Sequence, residues 1–266
     1  MGSFTRRGGL LPAASPREIV LQPLVQEESY LQELSKRLVS LADGYGISLG
    51  VLEARRCVDY LLYVLQVNTF INLTSVRDVD DALVLHLLDS LLFCTVAPGD
   101  AHRFLDMGTG GGFPGVPFHF ATGCQGTLVD SVAKKVRAVS TILQEMGIDG
   151  LEGKQARLEE LAVQEPSSYD LVFARALAPL PTLVEYAAPF LVHGGVFIAS
   201  KGKPDEEELV RGNRAAKLCG LDLMEKRCLE LPNDQGVRTL LVYQCTSRPS
   251  VKLPRAVGLA KKSPLA

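Results

Sequence analysis

The sequence lacks several features that mark particular classes of protein. Its six cysteines form no Cys-x-x-Cys pair and lie mostly in apolar runs, which argues against a disulfide framework and favours a reducing compartment. The four histidines are scattered without ligand spacing, so we expect no metal site. No apolar run reaches the roughly 18 residues that a membrane span requires. We therefore expect a cytoplasmic protein without a membrane segment.

A strong charge of either sign is also missing, because the net charge of the 266 residues is −2. Proteins that are wrapped in nucleic acid are usually more basic, so any contact with a polyanion must use a local patch. The two ends supply candidates. The N-terminal segment carries Arg6, Arg7 and Arg17 before its first acid, and we interpret residues 1–27 as a flexible leader, with a transit peptide as the alternative. Residues 247–266 form a basic tail without acids.

Three amphipathic helices are expected between residues 28 and 98. Leucines recur at helical spacing from Tyr30 to Leu41, from Leu52 to Leu65, and from about Asp80 to Leu92. No strand pattern interrupts them. This helical region is small for an independent domain, so we expect it to pack on the part of the chain that follows.

From residue 99 to 246 the pattern changes to strands that alternate with helices. The predicted strands are 103–107, 126–130, 150–155, 170–174 and 195–200, and the predicted helices are 114–122, 132–146, 158–164, 181–191 and 204–219. Two final strands, 222–230 and 237–245, are joined by a turn sequence that predicts an antiparallel hairpin. Alternating strands and helices predict an α/β fold with a mostly parallel sheet covered on both faces.

A glycine-rich loop follows the first strand, over residues 108–115. Glycine can adopt positive φ and lets a ligand approach the backbone, while the next helix would present free N–H groups. Gly110, Gly112 and Gly115 fit the dinucleotide pattern, in which a pyrophosphate lies on the helix N-terminus. Asp106 opposes that interpretation, since its carboxylate would repel a pyrophosphate but suits the cationic amino-acid end of S-adenosylmethionine.

Other polar residues are predicted to lie near this loop. Asp130 ends the second strand, about 20 residues after the loop, where an acid binds ribose hydroxyls in both cofactor classes. Arg175 ends the fourth strand. Because ligands of such sheets bind at the carboxyl ends of the strands, we expect Asp106, Asp130 and Arg175 to lie on one rim.

A series of motifs follows one another in a fixed order along the chain: Asn72-Leu73-Thr74-Ser75, His86-Leu87-Leu88-Asp89-Ser90-Leu91, the loop from Asp106 to Gly115, Leu128-Val129-Asp130-Ser131, Arg157-Leu158-Glu159, Arg175-Ala176, Lys201-Gly202 and the tail from Leu253 to Leu265. In these motifs, over about residues 30–266, the chain resembles the 16S rRNA guanine-N7 methyltransferases of the RsmG family, formerly called glucose-inhibited division protein B. The resemblance implies a Rossmann-like methyltransferase fold, S-adenosylmethionine as cofactor, and 16S rRNA or the small ribosomal subunit as partner. We expect a monomer.

The resemblance also implies roles for particular residues. Cofactor contacts are expected from Asp106, Gly108, Gly110, Phe113, Asp130, Leu158, Glu159 and Arg175. Positioning of the guanine is expected from Arg175, Lys201, Asn72 and His86, without a general base. Contacts with RNA phosphates are expected from Lys134, Lys135, Arg137, Arg157, Arg255, Lys261 and Lys262.

Three departures from the family pattern occur, and rival functions stay open. The chain has no tryptophan, which the family usually places shortly before the Asn-Leu-Thr-Ser motif; Leu158 stands where a small residue is common, and Gly111 where alanine or proline is common. None removes a group that the chemistry requires. The alternatives are a methyltransferase for another acceptor, an NAD-dependent oxidoreductase, and a non-catalytic RNA-binding assembly protein.

Overall fold

The computed structural model describes residues 19–266. The predictions for residues 1–18, including the three arginines of the leader, lie outside the described residues. The second part of the predicted leader, residues 19–27, has no helix or strand but packs on the core through Ile19, Leu21 and Leu24. The Gln22 backbone also exchanges two hydrogen bonds with the Gln66 side chain, at 2.9 and 3.0 Å. Residues 19–27 thus lie against the core, and the flexibility expected of the leader stays a prediction.

The predicted front helices are present, and the third contains a π-helical turn. Helices α1 and α2 span Glu28–Asp43 and Val51–Val67. The third helical segment consists of α3 (Val79–Ala82), a π-helical turn (Leu83–Leu88), α4 (Asp89–Leu91) and a 3₁₀ turn (Leu92–Thr95). Its first turn begins at Asp78, whose side chain accepts a hydrogen bond from the Asp81 N–H at 3.0 Å. π-Helical turns occur often at functional sites.

A seven-stranded sheet forms the centre of the molecule. Its strands are β1 (Arg103–Met107), β2 (Gln125–Asp130), β3 (Leu151–Gln155), β4 (Tyr169–Arg175), β5 (Leu191–Lys201), β6 (Leu221–Glu230) and β7 (Val237–Cys245). The order β3-β2-β1-β4-β5-β7-β6 is parallel except for β7, which runs antiparallel to β5 and β6. The predicted parallel sheet and the C-terminal hairpin are both confirmed.

The remaining helices cover the two faces of this sheet. They are α5 (Gly115–Thr122), α6 (Ala133–Glu145), α7 (Leu158–Gln164), α8 (Leu180–Ala187), α9 (Glu206–Leu218) and the short α10 (Leu259–Lys262). Side chains of successive strand residues point to opposite faces. In β1, Phe104 accordingly belongs to one hydrophobic core and Leu105 to the other.

The front helices share a core with the sheet. Leu34 of α1 and Leu61 of α2 are buried in the same cluster as Phe104 and Phe173, which lie on strands β1 and β4. The structure thus agrees with the expectation that the helical region packs on the sheet. Within residues 19–266 no helix has the length and apolar composition needed to cross a membrane.

Candidate active site

Two cavities open side by side at the carboxyl ends of the parallel strands. The first measures 280 Å³ and is lined by Gly108, Val129, Asp130, Ser131, Lys135, Ala156, Arg157, Leu158, Glu159, Ala176, Leu177, Tyr186 and Lys261. The second measures 340 Å³ and is lined by Val76, Leu85, His86, Asp89, Arg175, Ala176, Ser200, Lys201, Gly202 and Arg238. Ala176 lines both cavities, so they meet at the end of β4. We call them the loop cavity and the π-turn cavity.

The buried Asp106 side chain forms hydrogen bonds with the glycine loop. It is 1% exposed, and its Oδ2 accepts hydrogen bonds from Thr109 Oγ1 at 2.7 Å and from the Gly115 N–H at 2.9 Å. Burial raises the pKa of Asp106 to about 6, although these two hydrogen bonds favour the carboxylate. Asp106 does not line the loop cavity. Its Oδ2 faces the loop, whereas its Oδ1 has no hydrogen-bond partner among the described residues, and contact of Asp106 with the cofactor stays a prediction.

The loop is built so tightly that it leaves little room for phosphate binding. Two glycines have no space for a side chain: a Cβ on Gly112 would lie 2.0 Å from Tyr60 Oη, and one on Gly115 would lie 2.3 Å from Leu128 Cδ2. Acceptors inside the protein already bind the N–H groups of Gly108, Thr109, Gly110, Gly112, Phe113 and Gly115.

These internal hydrogen bonds help to decide between a dinucleotide and S-adenosylmethionine as the cofactor. A pyrophosphate would require several free N–H groups in the loop and at the start of α5. The N–H groups of Val116 and Phe118 in α5 also bind backbone carbonyls, and Pro117 has none. The expectation of free N–H groups at this helix start is wrong, and the dinucleotide interpretation loses its main support.

The loop cavity presents carboxylates on two sides. Asp130 is the last residue of β2 and is 9% exposed. Its two oxygens accept hydrogen bonds from the Gly110 N–H at 3.2 Å and the Val132 N–H at 2.8 Å. Glu159, also 9% exposed, lies in the first turn of α7. Acids at these two positions match the polar edges of an adenosine group better than a phosphate. Among residues 19–266, no cluster of three His, Cys, Asp or Glu side chains has the arrangement of a metal site.

The C-terminal tail folds back onto this cavity. Glu159 Oε1 accepts a hydrogen bond from the Gly258 N–H at 2.8 Å, and Lys261 belongs to the lining of the cavity. Arg255 forms a two-pronged ion pair with Glu185, which is 3% exposed, at 2.6 and 2.5 Å. Its guanidinium also donates to the Ser263 carbonyl at 2.8 Å. The tail is therefore part of the wall of the loop cavity.

The predicted RNA contacts fall into three groups. Lys135, Arg157 and Lys261 line the loop cavity. Lys134, Arg137 and Lys262 are exposed on the surface. Arg255 differs from both groups, because the ion pair with Glu185 occupies its guanidinium. The ion pair with Glu185 lets Arg255 hold the tail, and its contact with RNA phosphates stays a prediction.

One carboxylate joins two arginines beside the π-turn cavity. Asp89 is 3% exposed, and its two oxygens accept from Arg175 Nη1 and Arg238 Nε, each at 3.0 Å. Arg175 Nη1 also donates to the Leu85 carbonyl at 3.1 Å. Lys201 is paired as well, with Glu208 at 2.8 Å and with the Ala178 carbonyl at 3.1 Å. The ionic side chains of this cavity are fixed before any ligand arrives.

His86 connects the π-helical turn with the glycine loop. Its ring stacks on Phe113, with centroids 4.8 Å apart and planes inclined by 11°. Its Nε2 lies 2.6 Å from Thr74 Oγ1. Burial, and secondarily the Arg175 charge, lowers the pKa of His86 to about 4, while the nearby Leu85 carbonyl has a smaller opposite effect. The imidazole is therefore neutral at pH 7. Phe113 itself lies outside the lining of both cavities.

The predicted positioning residues come together only in part. Arg175, Lys201 and His86 line the π-turn cavity, but Asn72 is exposed and outside its lining. Asn68 shapes this turn instead, because its Oδ1 accepts from the N–H groups of Leu73 and Thr74 at 2.8 and 3.0 Å. The positioning role of Asn72 stays a prediction.

Sequence reasoning gave no role to several residues that line the two cavities, among them Asp89, Ser200, Arg238 and Tyr186. Asp89 stands inside the quoted His-x-x-Asp-Ser-Leu motif, so its presence in that motif could have identified it. Arg238 lies on the antiparallel strand β7, and no local pattern reveals that its side chain pairs with Asp89.

Comparison with known proteins gives a consistent assignment. A family model described as rRNA small subunit methyltransferase G matches residues 53–235. Ribosomal RNA small subunit methyltransferase G of Desulfitobacterium hafniense is 33% identical over 202 residues, covering 74% of this chain and 83% of the relative. The protein of that name from Acetivibrio thermocellus is 30% identical over 236 residues, covering 88% and 97%. In structure, an O-methyltransferase from Bacillus cereus in complex with SAH matches with a TM-score of 0.51 at 19% identity, covering 70% of this chain and 90% of that one.

Proposed function

Because the chain belongs to the rRNA small subunit methyltransferase G family, we propose that it transfers the methyl group of S-adenosylmethionine to N7 of a guanine in 16S rRNA. The observation that supports this most directly is the junction of the two cavities at Ala176. A cofactor in the loop cavity and a base in the π-turn cavity would bring donor and acceptor atoms together at one point.

The residues of the loop cavity fit this cofactor. Asp130 would bind the ribose hydroxyls, and Leu158 and Glu159 would flank the adenine. Gly108 lines the cavity without a side chain, so the methionine part can approach its backbone. When bound, S-adenosylmethionine supplies an electrophilic methyl group on a sulfonium sulfur. The loop N–H groups that already bind acceptors inside the protein are not available to the pyrophosphate of NAD, the rival cofactor.

The chemistry at N7 needs positioning more than proton transfer. The N7 lone pair forms the bond to the methyl carbon, the carbon–sulfur bond breaks, and its electron pair stays on sulfur. No proton leaves N7, so a general base has no task. Fixing the base against the methyl group accounts for the main rate effect, and the walls made by His86 and by the two arginines paired with Asp89 are suited to hold it.

The substrate is proposed to bind across the rim of both cavities. The exposed cations Lys134, Arg137 and Lys262 would contact phosphates of the rRNA, together with Lys135, Arg157 and Lys261 at the cavity mouth. A guanine can enter the π-turn cavity only when it is unstacked or lies in a loop of the RNA. We propose that the protein acts as a monomer in the cytoplasm.

The test is methyl transfer to small ribosomal subunits that lack the modification. With labelled S-adenosylmethionine, the label is expected in 16S rRNA, and S-adenosylhomocysteine but not NAD is expected to raise the melting temperature of the protein. Label in protein or in small molecules would favour another acceptor. RNA retention without any transfer would favour a non-catalytic assembly protein.

A further inference from the structure

The π-turn cavity contains two buried polar atoms that have no partner in the protein. Among the described residues, four buried side-chain atoms lack a hydrogen-bond partner: His86 Nδ1, Asp106 Oδ1, Ser200 Oγ and Gln235 Oε1. His86 and Ser200 both line the π-turn cavity, one from the π-helical turn and one from the end of β5. Ser200 is 2% exposed and His86 is 9% exposed.

Such atoms require an explanation, because removing a polar group from water without a partner is unfavourable. Most buried polar groups in folded proteins are satisfied, and exceptions are common where a ligand supplies the missing partner. The charged side chains of the cavity already have partners, namely Asp89 and the Leu85 carbonyl for Arg175, and Glu208 and the Ala178 carbonyl for Lys201. Ser200 and His86 are the uncharged groups left for a ligand in this cavity.

The neighbours of His86 are compatible with a proton on Nδ1. Thr74 Oγ1 accepts a hydrogen bond from the Val76 N–H at 3.0 Å and lies 2.6 Å from His86 Nε2, so its hydroxyl can donate to that nitrogen. A neutral imidazole that accepts at Nε2 carries its proton on Nδ1. The Leu85 carbonyl is near enough to raise the pKa of the ring slightly, but among the described residues Nδ1 has no hydrogen-bond partner of good geometry. In this tautomer Nδ1 is a donor that a ligand can use.

Ser200 lies close to the place where methyl transfer would occur. In the parallel pairing of β4 and β5, Ser200 is the partner of Arg175, and Arg175 immediately precedes the shared residue Ala176. The N7 atom of a guanine must face that junction. O6 is the neighbouring polar atom on the same edge of the base, so a group that donates a hydrogen bond to O6 must lie near the junction as well.

We propose that Ser200 Oγ and His86 Nδ1 together recognise O6 of the acceptor guanine, one hydrogen bond to each lone pair. The inference rests on the proposed function. It gives the cavity a means to distinguish guanine from adenine, which carries an amino group in place of O6. The Nδ1–H of His86 would face the N–H of that amino group, leaving both donors without an acceptor. The two residues thus determine which base is accepted.

The first experiment compares Ser200→Ala with the wild type on undermethylated subunits. Loss of one hydrogen bond is expected to lower kcat/KM for the subunit on the order of tenfold. The affinity for S-adenosylhomocysteine and the melting temperature should not fall, since the hydroxyl has no partner in the protein. Ser35→Ala is the matched control, because Ser35 is equally buried but donates to the Leu31 carbonyl at 2.7 Å, away from the site. It should lose stability and keep its activity per folded molecule.

The second experiment tests O6 itself. Subunits are reconstituted with 2-aminopurine, which has N7 but no O6, at the modified position. The wild type should lose a larger factor on this substrate than Ser200→Ala loses on guanine, because a base without O6 forfeits the hydrogen bonds of both residues. On this substrate Ser200→Ala should lose no further factor of about ten relative to the wild type. Equal tenfold losses for Ser200→Ala on both bases, or none on guanine, would overturn the inference. Failure of the proposed function has a different signature, since the wild type would then place no methyl group on N7 of guanine.

Discussion

His86 stacks on Phe113 with ring centroids 4.8 Å apart. This contact joins the π-helical turn, which forms one wall of the π-turn cavity, to the glycine loop, which forms the floor of the loop cavity. Arg175 also lies near Phe113, with its guanidinium carbon 5.8 Å from the ring centroid. A displacement of the loop would therefore affect both cavities.

Asp89→Asn should impair methyl transfer more than cofactor binding. The carboxylate holds Arg175 and Arg238 beside the π-turn cavity, and removal of one member of a buried ion pair costs about 3 kcal/mol or more in stability. We expect kcat/KM for the subunit to fall at least about tenfold, with the Kd of S-adenosylhomocysteine changed less than about threefold. Calorimetric titration and methylation kinetics provide the two readouts.

Asp59→Asn is the control for this substitution. Asp59 pairs with Arg55 at 2.9 Å on the surface of α2, where an ion pair contributes less than about 1 kcal/mol. It should leave both activity and stability nearly unchanged. A weaker affinity for S-adenosylhomocysteine in Asp89→Asn, equal to the loss in methylation, would contradict the separation of the two cavities.

Arg255→Ala should act through the fold of the tail. The change leaves Glu185 buried without its partner, which is expected to lower the free energy of unfolding by about 3 kcal/mol. Because the same tail provides the Gly258 N–H to Glu159, the affinity for S-adenosylhomocysteine should weaken as well. Chemical denaturation and ligand titration measure both effects.

Lys262→Ala provides the contrast, since Lys262 is an exposed cation of the same tail. It should retain wild-type stability and bind small subunits more weakly, with a smaller dependence on salt concentration. If Arg255→Ala melts like the wild type and loses only subunit binding, then Arg255 contacts RNA and the assignment made from the ion pair is wrong.

Gly115→Ala should destabilise the glycine loop. A Cβ at this position would lie 2.3 Å from Leu128 Cδ2 and 2.9 Å from Asp106 Oδ2, so the loop or the strand beneath it has to move. Overpacking of this kind costs about 1–3 kcal/mol, and binding of S-adenosylhomocysteine should decline with it. Gly99→Ala, which meets no atom within 4 Å, is the matched control and should behave as the wild type. Unchanged stability and binding in Gly115→Ala would show that the loop is looser than described.

The pH dependence of stability should reveal the buried His86. The unfolded residue has a pKa of 6.5 and the folded one about 4, so the folded state binds fewer protons between these values. Stability due to this group is therefore complete above pH 6.5 and is lost as the pH falls toward 4, by up to about 3 kcal/mol. Comparing denaturation of the wild type and His86→Gln across this range isolates the effect. A difference that does not vary with pH would contradict a buried neutral imidazole.

The sequence predicted the fold well because the relevant signals are local. Alternating strands and helices, the loop after β1 and the turn before β7 all arise from neighbouring residues. The π-helical turn was not predictable in this way, since the apolar spacing from Leu83 to Leu88 is also compatible with an ordinary α-helix. The direction of the Asp106 side chain depends on the pleat of β1, and the path of the tail depends on the distant partners Glu159 and Glu185.

The candidate site shows the same difference between local sequence signals and contacts of distant residues. Asp130, Glu159, Arg175 and Lys201 were predicted from motifs, and all four line one of the two cavities. Ser200 and Arg238 carry no motif of their own, and strand pairing alone brings them to the π-turn cavity. Sequence patterns therefore identify residues at strand ends, whereas contacts across the sheet need the structure.

Mapping the methylated nucleotide tests the central claim most directly. Subunits methylated by the protein are isolated, and their 16S rRNA is reduced and cleaved at 7-methylguanosine. The account predicts a single cleavage at a guanine in an unpaired or loop segment, which disappears when S-adenosylmethionine is omitted. Labelled rRNA that resists this cleavage would contradict transfer to N7, even though the protein would still be a methyltransferase.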